Sequence, residues 1–298
     1  MARKIILVKP RGLCAGVERA LKILDLTVEK SEGSVYCRHA IVHNEKVVEE
    51  FSQKGVIFVE DLNQVPNGSV VVFSAHGSSP ELFKLAKKKN LRVVDAVCPL
   101  VMKVHEEAKR FRANNYLIVY LGHKNHPEAL GVLGEVPGKS VLISSLAEAK
   151  KLKISGKAVL LTQTTLGLEE TKEIVDYLTA KFPNLELPAG KDICFSTTNR
   201  QLAVKELAKH CDLILVVGSK NSSNSNRLRE VAGIEAYLVD GPEDLKEDWF
   251  KNKNIVGITA GASVPEKLVR ELIDGVKGRF GGEEEELEVI KENIKFRL

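Results

Sequence analysis

Three of the five cysteines in this chain of 298 residues stand in the same local setting. Cys14 in RGLCAGVERAL, Cys98 in DAVCPLVMKV and Cys194 in DICFSTTNRQ each separate an extended apolar run from a helix-like run, 84 and then 96 residues apart. A thiol just ahead of a helix is favoured as thiolate, because the unpaired N–H groups and the dipole of the helix stabilise negative charge. Three thiolates with one position left open suit two centres: zinc with a water, or an iron–sulfur cluster in which one iron has no protein ligand. Ferredoxin-type carriers bring their ligands in short CxxC runs, which this sequence lacks. An incompletely ligated cluster therefore reads as a Lewis acid for a substrate rather than as an electron wire. One cysteine after a strand is more often packing than ligand, and it is the threefold match that turns the reading here. Cys37, inside a strand, and Cys211, at a helix end, have no such match and read as core residues.

The rhythm extends beyond sulfur. From each cysteine it is 29, 28 and 28 residues to a polar cluster, His43 in IVHNEKV, His126 in GHKNHPEAL and Ser222 in GSKNSSNSNRL. A second cluster arrives 33 to 41 residues later, with His76 in FSAHGSSPEL, Thr164 in LTQTTLGLEE and Ser263 in ITAGASVPEK. A period near 90 residues matched at three landmarks marks three copies of one unit.

The elements that must position these residues follow from hydrophobic patterning. Short β-type runs such as KIILVK, GVIFVE, YLIVYLG, AVLLTQTT, LELPAGKDI, LILVVGS and NIVGITAG alternate with amphipathic helical runs. After Cys14, for example, Val17, Ala20, Leu21, Leu24 and Val28 share one helical face. Strand–helix alternation means parallel sheets with helices packed on them. The expected fold class is α/β: three similar units with small, mainly parallel sheets around a central cavity, spanning 1–97, 98–193 and 194–298 with a C-terminal tail. Strand-to-helix loops of parallel sheets lie at the carboxyl edge, where ligands bind in open α/β folds. Three units facing one centre would bring the three cysteines together there.

The other side chains in these loops are His43, Asn44, His76, His126, Glu128, Thr164, Thr165, Ser222, Ser223, Asn224 and Ser263. Imidazoles, hydroxyls and amides at helix N-termini make an anion cradle suited to phosphate or diphosphate; for a single Ser or Thr, helix capping is the competing reading. Neither a Walker nor a Rossmann glycine fingerprint is present, so a nucleotide is not the obvious anion. Glu128 stands out among the carboxylates of these clusters; at the start of a helix, in HPE, it either caps the helix or serves as a general acid. His39, His105, His123 and His210 have no matched counterparts and receive no role.

Net charge is +4, from 44 basic and 40 acidic residues mixed along the chain, without the basic stripe of a nucleic-acid protein. No apolar run approaches the roughly 20 residues of a membrane helix. The opening MARKIILVKPRGLC reads as a first strand rather than a signal peptide, so a cytoplasmic protein is expected. An odd cysteine number without a secretory signal argues against a disulfide framework. The acidic run GGEEEELEV (281–289) reads as the solvated start of a helix. The tail from about residue 279 has no counterpart in the repeat and either latches across the other units or is disordered.

At these residues the chain resembles the 4-hydroxy-3-methylbut-2-enyl diphosphate reductases, the last enzymes of the methylerythritol phosphate route to isoprenoid precursors. The matching motifs are RGLCAGVERA, IVHNEKVV, FSAHGSSP, DAVCPLVMKVH, GHKNHPEALG, TQTTL, DICFSTTNRQ, VVGSKNSSNSNRL and TAGAS, in order from residue 11 to residue 263. The resemblance implies a 4Fe–4S cluster held by Cys14, Cys98 and Cys194, with the fourth iron open to substrate. It implies that His43, His76, Ser222, Ser223, Asn224 and Ser263 bind the substrate diphosphate, that His126 also contacts substrate, and that Glu128 and Thr164 sit beside the substrate hydroxyl. The reaction implied is a two-electron, two-proton reductive dehydroxylation to isopentenyl and dimethylallyl diphosphate. Ferredoxin or flavodoxin is the expected electron donor. A zinc-dependent hydrolase or lyase of a phosphorylated metabolite, and a non-catalytic iron–sulfur sensor, are the competing classes.

Overall fold

Short runs of Val, Ile and Leu bounded by turn residues form strands, and amphipathic runs between them form helices. The computed structural model describes residues 4–298; Met1, Ala2 and Arg3, the head of the stretch read above as a strand without a leader, lie outside the described residues. In chain order the elements are β1 (Lys4–Lys9), α1 (Ala15–Lys30), β2 (Val35–Arg38), α2 (Glu45–Gln53), β3 (Val56–Val59), β4 (Val70–Phe73), α3 (Pro80–Lys88), β5 (Arg92–Asp95) and α4 (Pro99–Ala113). There follow β6 (Leu117–Leu121), α5 (Pro127–Glu135), β7 (Ser140–Ile143), α6 (Leu146–Lys151), β8 (Ala158–Thr162), α7 (Leu168–Lys181) and β9 (Leu185–Glu186). The last are α8 (Phe195–Leu207), β10 (Leu213–Val217), α9 (Ser223–Val231), β11 (Ala236–Val239), β12 (Ile255–Ala260), α10 (Glu266–Phe280) and β13 (Glu283–Glu288).

The strands form three small sheets, ordered β3-β2-β4-β5, β7-β6-β8-β9 and β11-β10-β12-β1-β13. Every pairing among them is parallel, so the fold is the α/β class expected. Strands β4, β8 and β10 are buried at every position, as inner strands covered on both faces must be. Alternate residues feed separate cores: Ile5 and Leu7 pack with Leu215, Ile258 and Leu272, whereas Ile6 and Val8 pack with Val204, Val216 and Leu228.

The three sheets are equivalent strand by strand. An outer strand (β3, β7, β11) is followed by the strand leading to the first polar cluster (β2, β6, β10), the strand leading to the second (β4, β8, β12) and the strand leading to a cysteine (β5, β9, β1). In the third sheet that last strand is β1, which opens the sequence and pairs with β12 in the register Lys4–Ile255.

By contact density the chain divides into two compact units. One contains the described part of Met1–Ala15 with His43–Val47 and Phe195–Lys295, and holds the five-stranded sheet; the other contains Gly16–Val42, Val48–Cys194 and Phe296–Leu298, and holds the two four-stranded sheets.

Two expectations need correction. The run through LELPAGKDI is a strand only over two residues, because Pro188 supplies no N–H and the chain turns away. GGEEEELEV is a strand, not a helix start: β13 pairs with β1 over six residues, from Lys4–Glu283 to Lys9–Glu288. Its glutamates meet cations of its own unit, Lys9 to Glu286 at 2.5 Å, Arg270 to Glu284 at 2.9 Å and Lys277 to Glu284 at 2.6 Å, while Leu287 and Val289 pack on the core. Backbone pairing at an open sheet edge overrides the helix propensity of glutamate, and the charges blunt the new edge.

Candidate active site

Each cysteine is held by the loop of the neighbouring strand through one equivalent bond. The N–H of Cys98 donates to the Ala75 carbonyl (3.0 Å), that of Cys194 to the Thr164 carbonyl (3.0 Å) and that of Cys14 to the Ala262 carbonyl (3.1 Å). The acceptors lie beside His76, at Thr164 and beside Ser263, so each sulfur loop is registered against a second polar cluster. Each cysteine also immediately precedes a helix: Cys14 before α1, Cys98 as N-cap of α4, Cys194 before α8. All three are half-buried, and none of the five cysteines forms a disulfide. By contrast, burial pushes the thiols of Cys37 and Cys211 up to about 12, and their sulfurs lie against backbone carbonyls, His39 O at 3.4 Å and Leu207 O at 2.8 Å. Neither Cys37, inside β2, nor Cys211, between α8 and β10, stands just ahead of a helix.

Within the unit of the two four-stranded sheets, Glu128 is a fully buried acid with a raised carboxyl. It lies in the first turn of α5, 2% exposed. The Thr164 N–H donates to its Oε1 (2.8 Å) and the Thr164 hydroxyl to its Oε2 (3.1 Å). Burial raises its carboxyl to about 7; the two Thr164 bonds pull the other way, and Asp192 adds a smaller upward push. The Tyr120 hydroxyl is buried with no partner in good hydrogen-bond geometry, yet is close enough to Glu128 that the two perturb each other. His126, the N-cap of α5, accepts the Glu128 N–H at Nδ1 (3.2 Å), which leaves Nε2 to carry the proton of the neutral ring. Its ring meets that of His76 edge-on, centroids 6.0 Å apart, and Ser74 Oγ lies 3.2 Å from His76 Nδ1. His126, Glu128, Thr164 and His76 are thus brought together.

In the other unit, the structure separates capping from binding among the small polar residues. Ser222 is the N-cap of α9, its hydroxyl accepting from Ser225 N (3.2 Å) and from Ser225 Oγ (3.0 Å). Ser223 is the first residue of that helix. Asn224 is different: it is 6% exposed, and neither its amide nitrogen nor its oxygen finds a hydrogen-bond partner among the described residues. A buried amide with both ends unsatisfied is a strong sign of a polar ligand position. The loop around it admits little else, because a Cβ on Gly261 would stand 2.0 Å from Ser225 Oγ. Ser263 donates its hydroxyl to the His43 carbonyl (2.9 Å). Asn44 caps its segment by accepting Val47 N at 3.0 Å. Back in the unit of the two four-stranded sheets, Thr165 takes a bond from Gln163 Nε2 (2.8 Å), and Gln163 Oε1 accepts from His123 N (2.9 Å).

Sequence reading missed the residues that hold these loops still. Asp192, two residues before Cys194, is buried and accepts from Thr162 N (2.9 Å) and Lys103 Nζ (3.1 Å); burial raises its carboxyl to about 6 against those two bonds. His105, on α4, is 3% exposed, with Nδ1 at 2.9 Å from Glu135 on α5. Its ring fills the space that side chains on Gly77 and Gly131 would occupy. The signal was present in the glycines, which stand beside His76 and Glu128, but nothing local names their partner. Gly77→Ala therefore tests the wedge. Gly77 has φ +82° and its Cβ would stand 2.7 Å from His105 Nε2 and 3.2 Å from Val101. The variant should lose about 2–4 kcal/mol in chemical denaturation, overpacking adding to left-handed strain. An unchanged midpoint would dismiss the wedge.

Parallel sheets, thiol loops at helix starts and a buried acid beside two imidazoles define an α/β protein whose chemistry-bearing side chains lie in the loops that follow its strands. Residues 5–277 match the LytB protein family, and the chain belongs to that family. The chain is 48% identical over 302 aligned residues to the 4-hydroxy-3-methylbut-2-enyl diphosphate reductase of Neisseria meningitidis, covering 99% of this chain and 94% of the relative. It is 47% identical over 304 to the reductase of the same name from Pseudomonas aeruginosa, covering 99% and 97%. Among solved structures, it matches the E-1-hydroxy-2-methyl-but-2-enyl-4-diphosphate reductase from Plasmodium falciparum with TM-score 0.97 and 35% identity, over 100% of this chain and 96% of that one. A second, titled as (E)-4-hydroxy-3-methyl-but-2-enyl diphosphate reductase, the terminal enzyme of the non-mevalonate pathway, matches with TM-score 0.68 and 32% identity, over 93% and 99%.

Proposed function

We propose that this chain reduces 4-hydroxy-3-methylbut-2-enyl diphosphate to isopentenyl and dimethylallyl diphosphate, using a 4Fe–4S cluster held by Cys14, Cys98 and Cys194. The observation that carries the reading is Glu128: a buried carboxyl raised to about 7 and fixed by two Thr164 bonds, in a family whose named members reduce an allylic alcohol diphosphate. The donor set fits the group, since three half-buried thiols at helix starts share one backbone setting while the two remaining cysteines are in core settings. When bound, such a cluster supplies electrons one at a time and an iron with Lewis acidity.

The chain's own residues have separable tasks. Glu128 in its protonated form gives a proton to the leaving oxygen, so that it departs as water rather than hydroxide. Overall one carbon–oxygen bond breaks, two electrons and two protons enter, and one proton ends on carbon and the other on water. Thr164 holds both carboxyl oxygens and so fixes the direction of transfer. His126 Nε2–H and the imidazole of His76 are donors for the anionic substrate. Ser222, Ser223, Asn224, Ser263 and His43 take the diphosphate, with the unsatisfied Asn224 amide as the most direct support. Binding energy from the unreactive diphosphate then holds the reacting carbon in register.

No helix among the described residues is long and apolar enough to cross a membrane. We place the reaction in the cytoplasm, with ferredoxin or flavodoxin as the electron donor. The deciding experiment is an anaerobic assay with the hydroxylated allylic diphosphate and a chemical reductant. Brown protein containing iron and sulfide should form both isopentenyl and dimethylallyl diphosphate. Colourless protein containing zinc would favour a hydrolase, and tight ligand binding without product would favour a sensor.

A further inference from the structure

Arg200, on α8, heads the fully buried side chains by volume, and all five of its guanidinium N–H groups have acceptors within reach. Nε and Nη2 donate to the Gly12 carbonyl at 3.1 and 2.9 Å, and Nη2 also faces the Leu13 carbonyl at 3.3 Å. Nη1 donates to the Ser196 carbonyl (3.1 Å) and to the Glu292 carboxylate (3.1 and 3.2 Å). Gly12 and Leu13 are the two residues before Cys14. The loop they form is tight, because Gly12 has φ +68° and a Cβ there would stand 3.0 Å from the Val264 carbonyl.

Glu292 comes from the C-terminal tail, four residues past β13. Asn199 Nδ2 aims it with a 3.0 Å bond, and the tail is registered on β1 by β13 and by Val289 N to Lys9 O (3.0 Å). A cleft of about 710 Å³ beside Arg200, Glu292, Leu13, Arg11 and Lys291 connects the pair to solvent. In the other unit the last residues of the tail act in a similar way. The Arg297 carbonyl accepts from Arg19 Nε (2.7 Å), and Arg19 Nη1 donates to the carbonyl of Val97, the residue before Cys98 (3.0 Å).

We propose that the C-terminal tail is a latch on the cysteine loops, in which Glu292, acting through Arg200, is a positioning residue for Cys14. A buried guanidinium without its carboxylate is strongly unfavourable. Without Glu292, Arg200 turns into the cleft and releases the Gly12 and Leu13 carbonyls, and the Cys14 loop opens. The consequence for iron rests on Cys14 being a cluster ligand; the consequence for the loop does not.

The test uses the full chain. In metal-free protein, alkylation of Cys14 read by peptide mass spectrometry should be about tenfold faster in Glu292→Ala than in wild type, tracking local opening. Cys37 and Cys211 should not change. Glu292→Asp should restore most of the protection, and Glu288→Gln, exposed on the same segment, should match wild type. After anaerobic loading with iron and sulfide, Glu292→Ala should lose iron to a chelator faster by a similar factor. Should the alanine variant fail to fold, the isosteric Glu292→Gln decides. Unchanged Cys14 labelling, or all five cysteines accelerating together in the glutamine variant, overturns the latch. Labelling that follows Glu292 in a wild type that takes up no iron and sulfide would uphold the latch and overturn the ligand reading.

Discussion

Glutamine at position 128 should leave substrate binding and iron content intact while lowering turnover by about 10²–10⁴-fold, the range for loss of a positioned general acid. The substitution is nearly isosteric, and a glutamine oxygen can still accept the Thr164 N–H now bound to Glu128 Oε1. Only the transferable proton is lost. The pH profile gives a second readout. Burial raises the wild-type carboxyl to about 7, so turnover should fall as pH rises through 7, and this limb should be absent from the residual activity of the variant. Stability must move in the same direction. A carboxyl whose folded value lies above its unfolded one contributes stability that is fully present below about 4.5 and is lost as pH rises through about 7. That loss amounts to roughly 3 kcal/mol. Glu128→Gln escapes it, and should therefore melt later than wild type at pH 8 although it is the inactive form. Full turnover in the variant would remove Glu128 as the proton source.

Much of this site was legible because its chemistry is tied to local patterning. In parallel sheets covered on both faces, strands are continuous apolar runs, so β4, β8 and β10 announce themselves, and whatever follows them lies at one edge. The cysteine and polar landmarks could thus be aligned without knowing the sheet order. What stayed hidden was set by distant partners. Nothing in KIILVK says that it will pair with both Ile255 and Glu283, and nothing in four consecutive glutamates says that lysines and arginines on β1 and α10 will meet them. Arg200 in FSTTNRQ looks like a solvated helix residue until the Gly12 carbonyl and Glu292 surround it. Among the small polar residues, sequence could not separate Ser222, whose hydroxyl caps α9, from Asn224, whose amide is left unsatisfied, because both fit a helix start.

Serine at position 98 should abolish cluster uptake without harming the fold, and that separation is what makes it informative. Cys98 is the N-cap of α4 with extended backbone geometry, and its backbone bonds, N–H to Ala75 O (3.0 Å) and C=O from Met102 N–H (2.9 Å), are indifferent to the side chain. Serine is among the better N-caps, so the apo variant should be as stable as wild type or firmer by about 0.5–1 kcal/mol. Its hydroxyl is a hard, weakly acidic donor, unsuited to iron that selects thiolate. Iron, sulfide and visible absorbance should therefore fall together after anaerobic loading, and reductase activity with them. Cys37→Ala supplies the converse. That thiol is fully buried in β2 with its sulfur against the His39 carbonyl, so its loss should cost about 1–2 kcal/mol of packing while iron content stays normal. A Cys98→Ser protein that loads iron and sulfide to the wild-type level would break the three-thiolate assignment, and with it the place of the substrate alcohol at an open metal position.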